Sequence, residues 1–140
     1  MTKKKLRLIL LIDDDYPTNC FNEMMIEDEG VAEEIRSIQS AGEALDYLAN
    51  RGKYENNGMV YPSPDLIFLD INMPIVDGFV FLYEFEKFNE IVRNKCKVII
   101  LSSSDNKRDI DKIVNNNHVI KFITKPLTEV ALDEIKLNNI

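Results

Sequence analysis

Leu66-Ile67-Phe68-Leu69-Asp70-Ile71-Asn72-Met73-Pro74 is an apolar run that carries one carboxylate, Asp70, to its end and stops at a proline. The run has the length and β-branched content of a strand. Pro74 cannot continue a central ladder, so Asp70 is expected at the carboxyl edge of a buried strand. Open α/β sheets bind their ligands at that edge. Working outward, the apolar run 6–12 ends in Asp13, Asp14 and Asp15, the run 98–101 ends in Ser102, Ser103 and Ser104, and the run 119–124 ends in Lys125-Pro126. Carboxylates, hydroxyls and an ammonium group are thus all placed at strand ends.

The segments between these strands read as helices. Asp15-Tyr16-Pro17-Thr18-Asn19 has the capping residues and early proline of a helix start, and Phe21, Met24, Met25 and Asp28-Glu29 follow at helical spacing until Gly30. A short strand is expected around 34–39. Ser40 then precedes Ala41-Gly42-Glu43-Ala44-Leu45-Asp46-Tyr47-Leu48, a second helix with Glu43 in its first turn. Residues 50–64 hold two glycines and two prolines without sustained periodicity, and read as a long connection. After an Asp77-Gly78 turn, Phe79, Phe81-Leu82, Phe85 and Phe88 give a third helix whose aromatic stripe is read as core. A fourth strand over 97–101, a fourth helix over 105–116, a fifth strand over 119–123 and a fifth helix over 127–137 complete the chain.

Five strands alternating with five helices predict an α/β fold, a doubly wound five-stranded parallel sheet of order 2-1-3-4-5 with helices on both faces. In that order the first and third strands are neighbours at the switch point. Asp13, Asp14 and Asp70 then converge, flanked by Ser102 and Lys125.

The 140 residues make one domain, long enough to bury roughly two thirds of the unfolded surface. The composition, 45% apolar and 29% charged, is that of a globular protein and excludes collagen-like and disordered classes. Apolar runs fall far short of the roughly 18 residues of a membrane span, and the start has no signal-peptide core, so a cytoplasmic protein without a membrane partner is expected. A net charge of −7 argues against nucleic-acid binding, and Lys3-Lys4-Lys5 reads as a solvated run. Cys20 and Cys96 fit neither a disulfide framework nor a metal spacing, and His118 has no second histidine to make a zinc site.

Three converging carboxylates repel one another, and a divalent cation removes the conflict. Carboxylates with a backbone carbonyl are the ligands that hard Mg²⁺ prefers, often completed by a phosphate oxygen. The neighbouring lysine is explained by an anion with several oxygens, such as a phosphoryl group, arriving beside the metal. One carboxylate could then act as nucleophile and form an acyl phosphate.

Leu10-Leu11-Ile12-Asp13-Asp14-Asp15, Leu69-Asp70-Ile71-Asn72-Met73-Pro74-Ile75-Val76-Asp77-Gly78, Ile100-Leu101-Ser102-Ser103-Ser104 and Phe122-Ile123-Thr124-Lys125-Pro126 together resemble the receiver domain of response regulators in two-component signalling. The likeness extends over the whole chain and is to stand-alone receivers of the chemotaxis type, with a flavodoxin-like fold. It implies that Asp70 accepts a phosphoryl group from a phosphohistidine of a histidine kinase or phosphotransfer protein. It also implies that Asp14 and Asp70 ligate Mg²⁺, that Asp13 acts largely through a metal-bound water, and that Asn72 supplies its backbone carbonyl; Mn²⁺ or Ca²⁺ would substitute. Lys125 is expected to pair with Asp70 and then with the phosphoryl group, before a cis bond to Pro126. Ser102 takes the hydroxyl switch position and Phe122 the aromatic one, remodelling the surface formed by the fourth helix, fifth strand and fifth helix.

Ser102 stands where threonine also occurs, Ser103 where a smaller residue is common, and Phe122 lacks the hydroxyl of a tyrosine. The resemblance further implies a single receiver domain over 1–140 with no output domain. Such a protein is not an enzyme beyond slow self-dephosphorylation. It signals to a downstream protein target through a phosphorylation-switched surface, as a monomer or a phosphorylation-linked homodimer. Two competing readings are weaker. A haloacid-dehalogenase-like phosphatase carries Asp-x-Asp where this chain has Asp70-Ile71-Asn72, and a pseudo-receiver would lack at least one of Asp14, Asp70 and Lys125.

Overall fold

The computed structural model describes residues 5–55, 62–71, 78–88, 94–102, 111 and 116–137. Its sheet contains β1 (Leu6–Ile12), β2 (Ala32–Ile38), β3 (Leu66–Leu69), β4 (Lys97–Ser102) and β5 (Val119–Thr124). They run in the order β2-β1-β3-β4-β5, every pair parallel, as the alternation predicts. The helices are α1 (Tyr16–Glu29), α2 (Ala41–Ala49), α3 (Gly78–Phe85) and α4 (Glu129–Leu137). The helix expected over 105–116 falls almost wholly outside the described residues.

Strand alternation divides the core between the two faces of the sheet. Leu8, Leu10, Ile12, Ile67, Leu69 and Ile100 pack with Ala44, Leu48, Phe81 and Phe85 of α2 and α3. Ile9, Leu11, Phe68, Ile99 and Leu101 pack on the other face with Ile26 of α1 and Leu132 and Ile135 of α4. The aromatic stripe of α3 is therefore core: Phe81 and Phe85 are buried, and Phe79 and Phe88 pack at their margin.

Caps fix where the helices begin. Asp15 accepts the Thr18 N–H at 3.1 Å ahead of α1, and Ser40 Oγ accepts the Glu43 N–H at 3.0 Å ahead of α2. The last helix starts two residues later than the periodicity suggests, because Thr128 caps it. Thr128 Oγ1 accepts from Ala131 N, and its carbonyl from Leu132 N, while Leu127 is buried just before the cap. α3 closes at Phe85, ahead of Phe88, since Lys87 and Phe88 turn back onto the carbonyls of Glu84 and Phe85.

The described parts of the long connection are latched to α2. A 3-10 turn, Gly52–Tyr54, lays the Tyr54 ring edge-on against Tyr47 with centroids 5.0 Å apart. Tyr54 donates to Glu43 at 3.0 Å and Tyr47 to the Pro62 carbonyl at 2.7 Å. Among the described residues no helix is long and apolar enough to cross a membrane.

Candidate functional site

β1 leaves the sheet at Asp13, whose N–H makes a last ladder bond to the Ile38 carbonyl at 3.2 Å. Asp70 follows β3 directly, and its N–H donates to the Ile12 carbonyl at 2.9 Å. Ile12 and Leu69 are register partners, so Asp13 and Asp70 end adjacent strands at the same level. Both are buried, at 4% and 6% exposure, whereas Asp14 is exposed. One carboxylate oxygen from each of Asp13, Asp14 and Asp70 lies within 4.8 Å of the others. The convergence read from the sequence is present.

The cation comes from the other half of the sheet. Thr124 at the end of β5 pairs with Ser102 at the end of β4, and the Lys125 N–H donates to the Ser102 carbonyl at 2.8 Å. Lys125 Nζ then donates to Asp13 Oδ2 at 2.7 Å and stands 3.5 Å from Asp70 Oδ2. The resemblance pairs this lysine with Asp70; the shorter contact here is to Asp13. Burial alone would lower the lysine pKa, but the Asp13 hydrogen bond and the charges of Asp13 and Asp70 outweigh it and hold the ammonium above its ordinary value. The Lys125-Pro126 peptide is cis.

Ser102 is fully buried, and Phe122 is half-buried against the core beneath α2 and α3. Asn72 and Ser103 lie outside the described residues. Asp15 acts as the α1 cap, and its N–H is held by Asp13 Oδ1 at 2.9 Å. Hydrogen bonds to Thr18 hold the Asp15 carboxyl below its usual pKa. His118 belongs to the packing: its ring stacks on Phe85 at 5.5 Å, with Nε2 3.6 Å from Glu86.

Sequence reasoning did not single out the asparagines of α1. The buried stripe of this helix is Asn19, Asn22 and Ile26, while the apolar residues Phe21 and Met24 are 43% and 57% exposed. Asn19 Nδ2 donates to the Asp13 carbonyl at 2.9 Å. Its signal was available in the spacing 19, 22, 26, one helical face that begins six residues after Asp13.

Chemically, the cluster is a donor set for a hard divalent cation, because three carboxylates bring oxygens and negative charge to one point. The partly shielded ammonium is suited to a second contact with an oxyanion.

The chain belongs to the response regulator receiver domain family, whose family model matches residues 9–136. A two-component response regulator from Cytophaga hutchinsonii has a similar structure, with a TM-score of 0.80 and 33% identity over 96% of this chain and 99% of that one. Response regulator Rcp1 of Synechocystis is 28% identical over 104 residues, 74% of this chain and 67% of its own. A Mn²⁺-bound form of Rcp1 aligns with a TM-score of 0.70 at 25% identity, covering 93% of this chain and 89% of that one. The phosphorylated cyanobacterial phytochrome response regulator RcpA aligns with a TM-score of 0.67 at 29% identity, covering 99% and 91%. The chain spans 50% of one further curated relative and 31% of several others, among them methylesterases that share the receiver part alone. Receiver domains of response regulators receive phosphoryl groups from histidine kinases and bind divalent metal.

Proposed function

We propose that this receiver accepts a phosphoryl group on Asp70, with divalent-cation dependence, and passes the signal on by protein contact. The observation that carries the reading is the junction of three carboxylates within 4.8 Å and an ammonium group 2.7 and 3.5 Å from two of them. A bound Mg²⁺ would neutralise the carboxylates and orient phosphoryl oxygens, with Asp14 and Asp70 as direct ligands, Asp13 through water, and the Asn72 carbonyl completing the protein's share.

In the transfer, an Asp70 carboxylate oxygen attacks the phosphorus of a phosphohistidine. The P–N bond breaks, the imidazole nitrogen leaves with the electron pair, and Asp70 becomes an acyl phosphate. Lys125 balances the charge gathering on the phosphoryl oxygens. Water attack on phosphorus later releases phosphate and restores Asp70. Ser102 would offer its hydroxyl to a phosphoryl oxygen, and Phe122, which has no phenol group, would follow inward through apolar burial alone.

The phosphodonor must bring its histidine to a recessed carboxylate and therefore covers what surrounds it. A cleft of about 270 Å³ beside Lys125 is lined by Pro17, Phe21, Pro126 and Leu127, and its rim carries exposed Phe21. This apolar border suits a helical histidine kinase or phosphotransfer protein. A cytoplasmic protein target, rather than DNA or a membrane, would read the switched surface, with the receiver acting as a monomer or a phosphorylation-linked dimer.

The test is intact-mass analysis after incubation with Mg²⁺ and acetyl phosphate. One base-labile phosphoryl group is expected on the wild type and none on Asp70→Asn. Absence from the wild type, or an equal adduct on the variant, overturns the reading.

A further inference from the structure

Asn19 occupies a position where α1 faces the core, is 2% exposed, and spends its amide on a main-chain atom rather than on another side chain. The reason lies in how β1 ends. Asp13 gives its N–H to the ladder, but its carbonyl belongs to neither the sheet nor the helix, whose first intrahelical bond runs from Asn19 N to the Asp15 carbonyl at 3.1 Å. A buried carbonyl left without a donor is unfavourable, and Asn19 Nδ2 supplies that donor at 2.9 Å. Because a carbonyl only accepts, the orientation of the amide is fixed, and it leaves Asn19 Oδ1 buried with no hydrogen-bond partner among the described residues. An asparagine kept at a core position with an unpaired oxygen serves the group it donates to.

Beyond the ladder bond of its N–H, Asp13 accepts three hydrogen bonds among the described residues. Its Oδ1 accepts the Asp15 N–H, its Oδ2 accepts Lys125 Nζ, and its carbonyl accepts Asn19. The first two use the carboxylate, which is also the part that a cation would draw on, and a phosphoryl group would compete with it for Lys125. The Asn19 bond leaves the carboxylate free, as does the ladder bond of the Asp13 N–H to Ile38, but only the Asn19 bond acts on the peptide that leads to Asp14. It pins the peptide plane between Asp13 and Asp14, and so sets the direction in which both side chains leave the backbone.

We infer that Asn19 is a positioning residue for the divalent-cation site, acting through the Asp13 carbonyl to aim the Asp13 and Asp14 carboxylates; the inference rests on the metal reading given above. Partners behind metal ligands typically change affinity by about 10- to 100-fold when removed.

The experiment measures Mg²⁺ affinity by calorimetry, and the paramagnetic resonance spectrum of bound Mn²⁺, for wild type, Asn19→Leu, Asn19→Ala and Ile26→Ala, each checked by thermal melting. Ile26 is a buried residue on the same stripe with no bond to Asp13, so its truncation reports destabilisation alone. The expected result is a roughly tenfold or greater loss of affinity with an altered Mn²⁺ spectrum in whichever Asn19 variants fold, and wild-type affinity in folded Ile26→Ala. Wild-type affinity in the folded Asn19 variants, or an equal loss in Ile26→Ala, overturns the positioning role while leaving the metal site standing. Absence of Mg²⁺ and Mn²⁺ binding in the wild type overturns the metal reading and this inference with it.

Discussion

Lys125 reaches from the end of β5 to Asp13 at the end of β1, joining residues 112 apart in sequence by a 2.7 Å hydrogen bond. The pair is largely buried, with side chains 19% and 6% exposed, and Asp70 stands 3.5 Å away on the same ammonium. Removing one partner of a buried pair strands the other charge, at about 3–5 kcal/mol. Lys125→Met should therefore lower the melting temperature without divalent cation, and Mg²⁺ should raise it by more in the variant than in the wild type. Equal Mg²⁺ shifts in the two proteins would contradict a shared anionic site. Phosphorylation by acetyl phosphate should persist in the variant while the conformational response is lost.

Phe21 provides a way to separate docking from chemistry. Its ring is 43% exposed on α1 and borders the cleft beside Lys125, whose lining includes none of the three carboxylates. Phe21→Asp should slow transfer from a cognate kinase by about tenfold, equivalent to about 1.4 kcal/mol of lost contact. Uptake from acetyl phosphate, which needs no docking face, should stay within about twofold. Parallel phosphorylation time courses with the two donors decide it, and equal slowing with both would remove Phe21 from the docking surface.

The two cysteines should differ sharply in reactivity. Burial pushes the Cys96 thiol up to about 12, with the Lys95 charge opposing weakly, whereas Cys20 is exposed. Only the thiolate is an effective nucleophile, so iodoacetamide at pH 8 should add one group per native chain, at Cys20, and two after denaturation. A native pKa above the ordinary thiol value of 9.0 means that the fold favours the protonated thiol. That contribution is complete below about pH 9 and is lost as pH rises toward 12. Cys96→Ala should accordingly show a shallower fall in stability across that window in denaturant titrations, and an unchanged slope would argue against the shift.

The strand ends were legible because each is an apolar run of strand length closed by an abrupt polar residue, and parallel pairing then leaves little freedom of order. Asp13, Asp14, Asp70, Ser102 and Lys125 follow from that edge. Asn19 has only its spacing with Asn22 and Ile26 as a signal, and hydropathy points the other way, because α1 reverses the usual pattern: periodic Phe21 and Met24 face outward and asparagines face the core. The start of α4 was misplaced for a related reason, since Leu127 looks helical by hydropathy but is a buried residue ahead of the Thr128 cap. The latch of Tyr54 on α2 was not legible either, because two tyrosines seven residues apart in a Gly/Pro-containing connection carry no period.

Gly78 reads in sequence as one half of an Asp-Gly turn, but its requirement is steric. Its N–H donates to the Ile71 carbonyl at 3.2 Å, which draws the start of α3 onto the chain just beyond Asp70. A Cβ there would lie 2.6 Å from Ile71 Cα, 2.8 Å from Ile71 Cγ2 and 3.0 Å from the Asp70 carbonyl oxygen. Two of those atoms are main chain, so relief requires moving α3 or the peptide that holds Asp70. Overpacking of this kind typically costs about 1–3 kcal/mol, and Gly78→Ala should lose stability in that range by denaturant titration. Because the displaced segment carries the acceptor, the variant should also take up phosphate from acetyl phosphate more slowly at saturating Mg²⁺. Wild-type stability and wild-type phosphorylation in Gly78→Ala would mean that the backbone yields without strain and that the close approach of α3 does not set the position of Asp70.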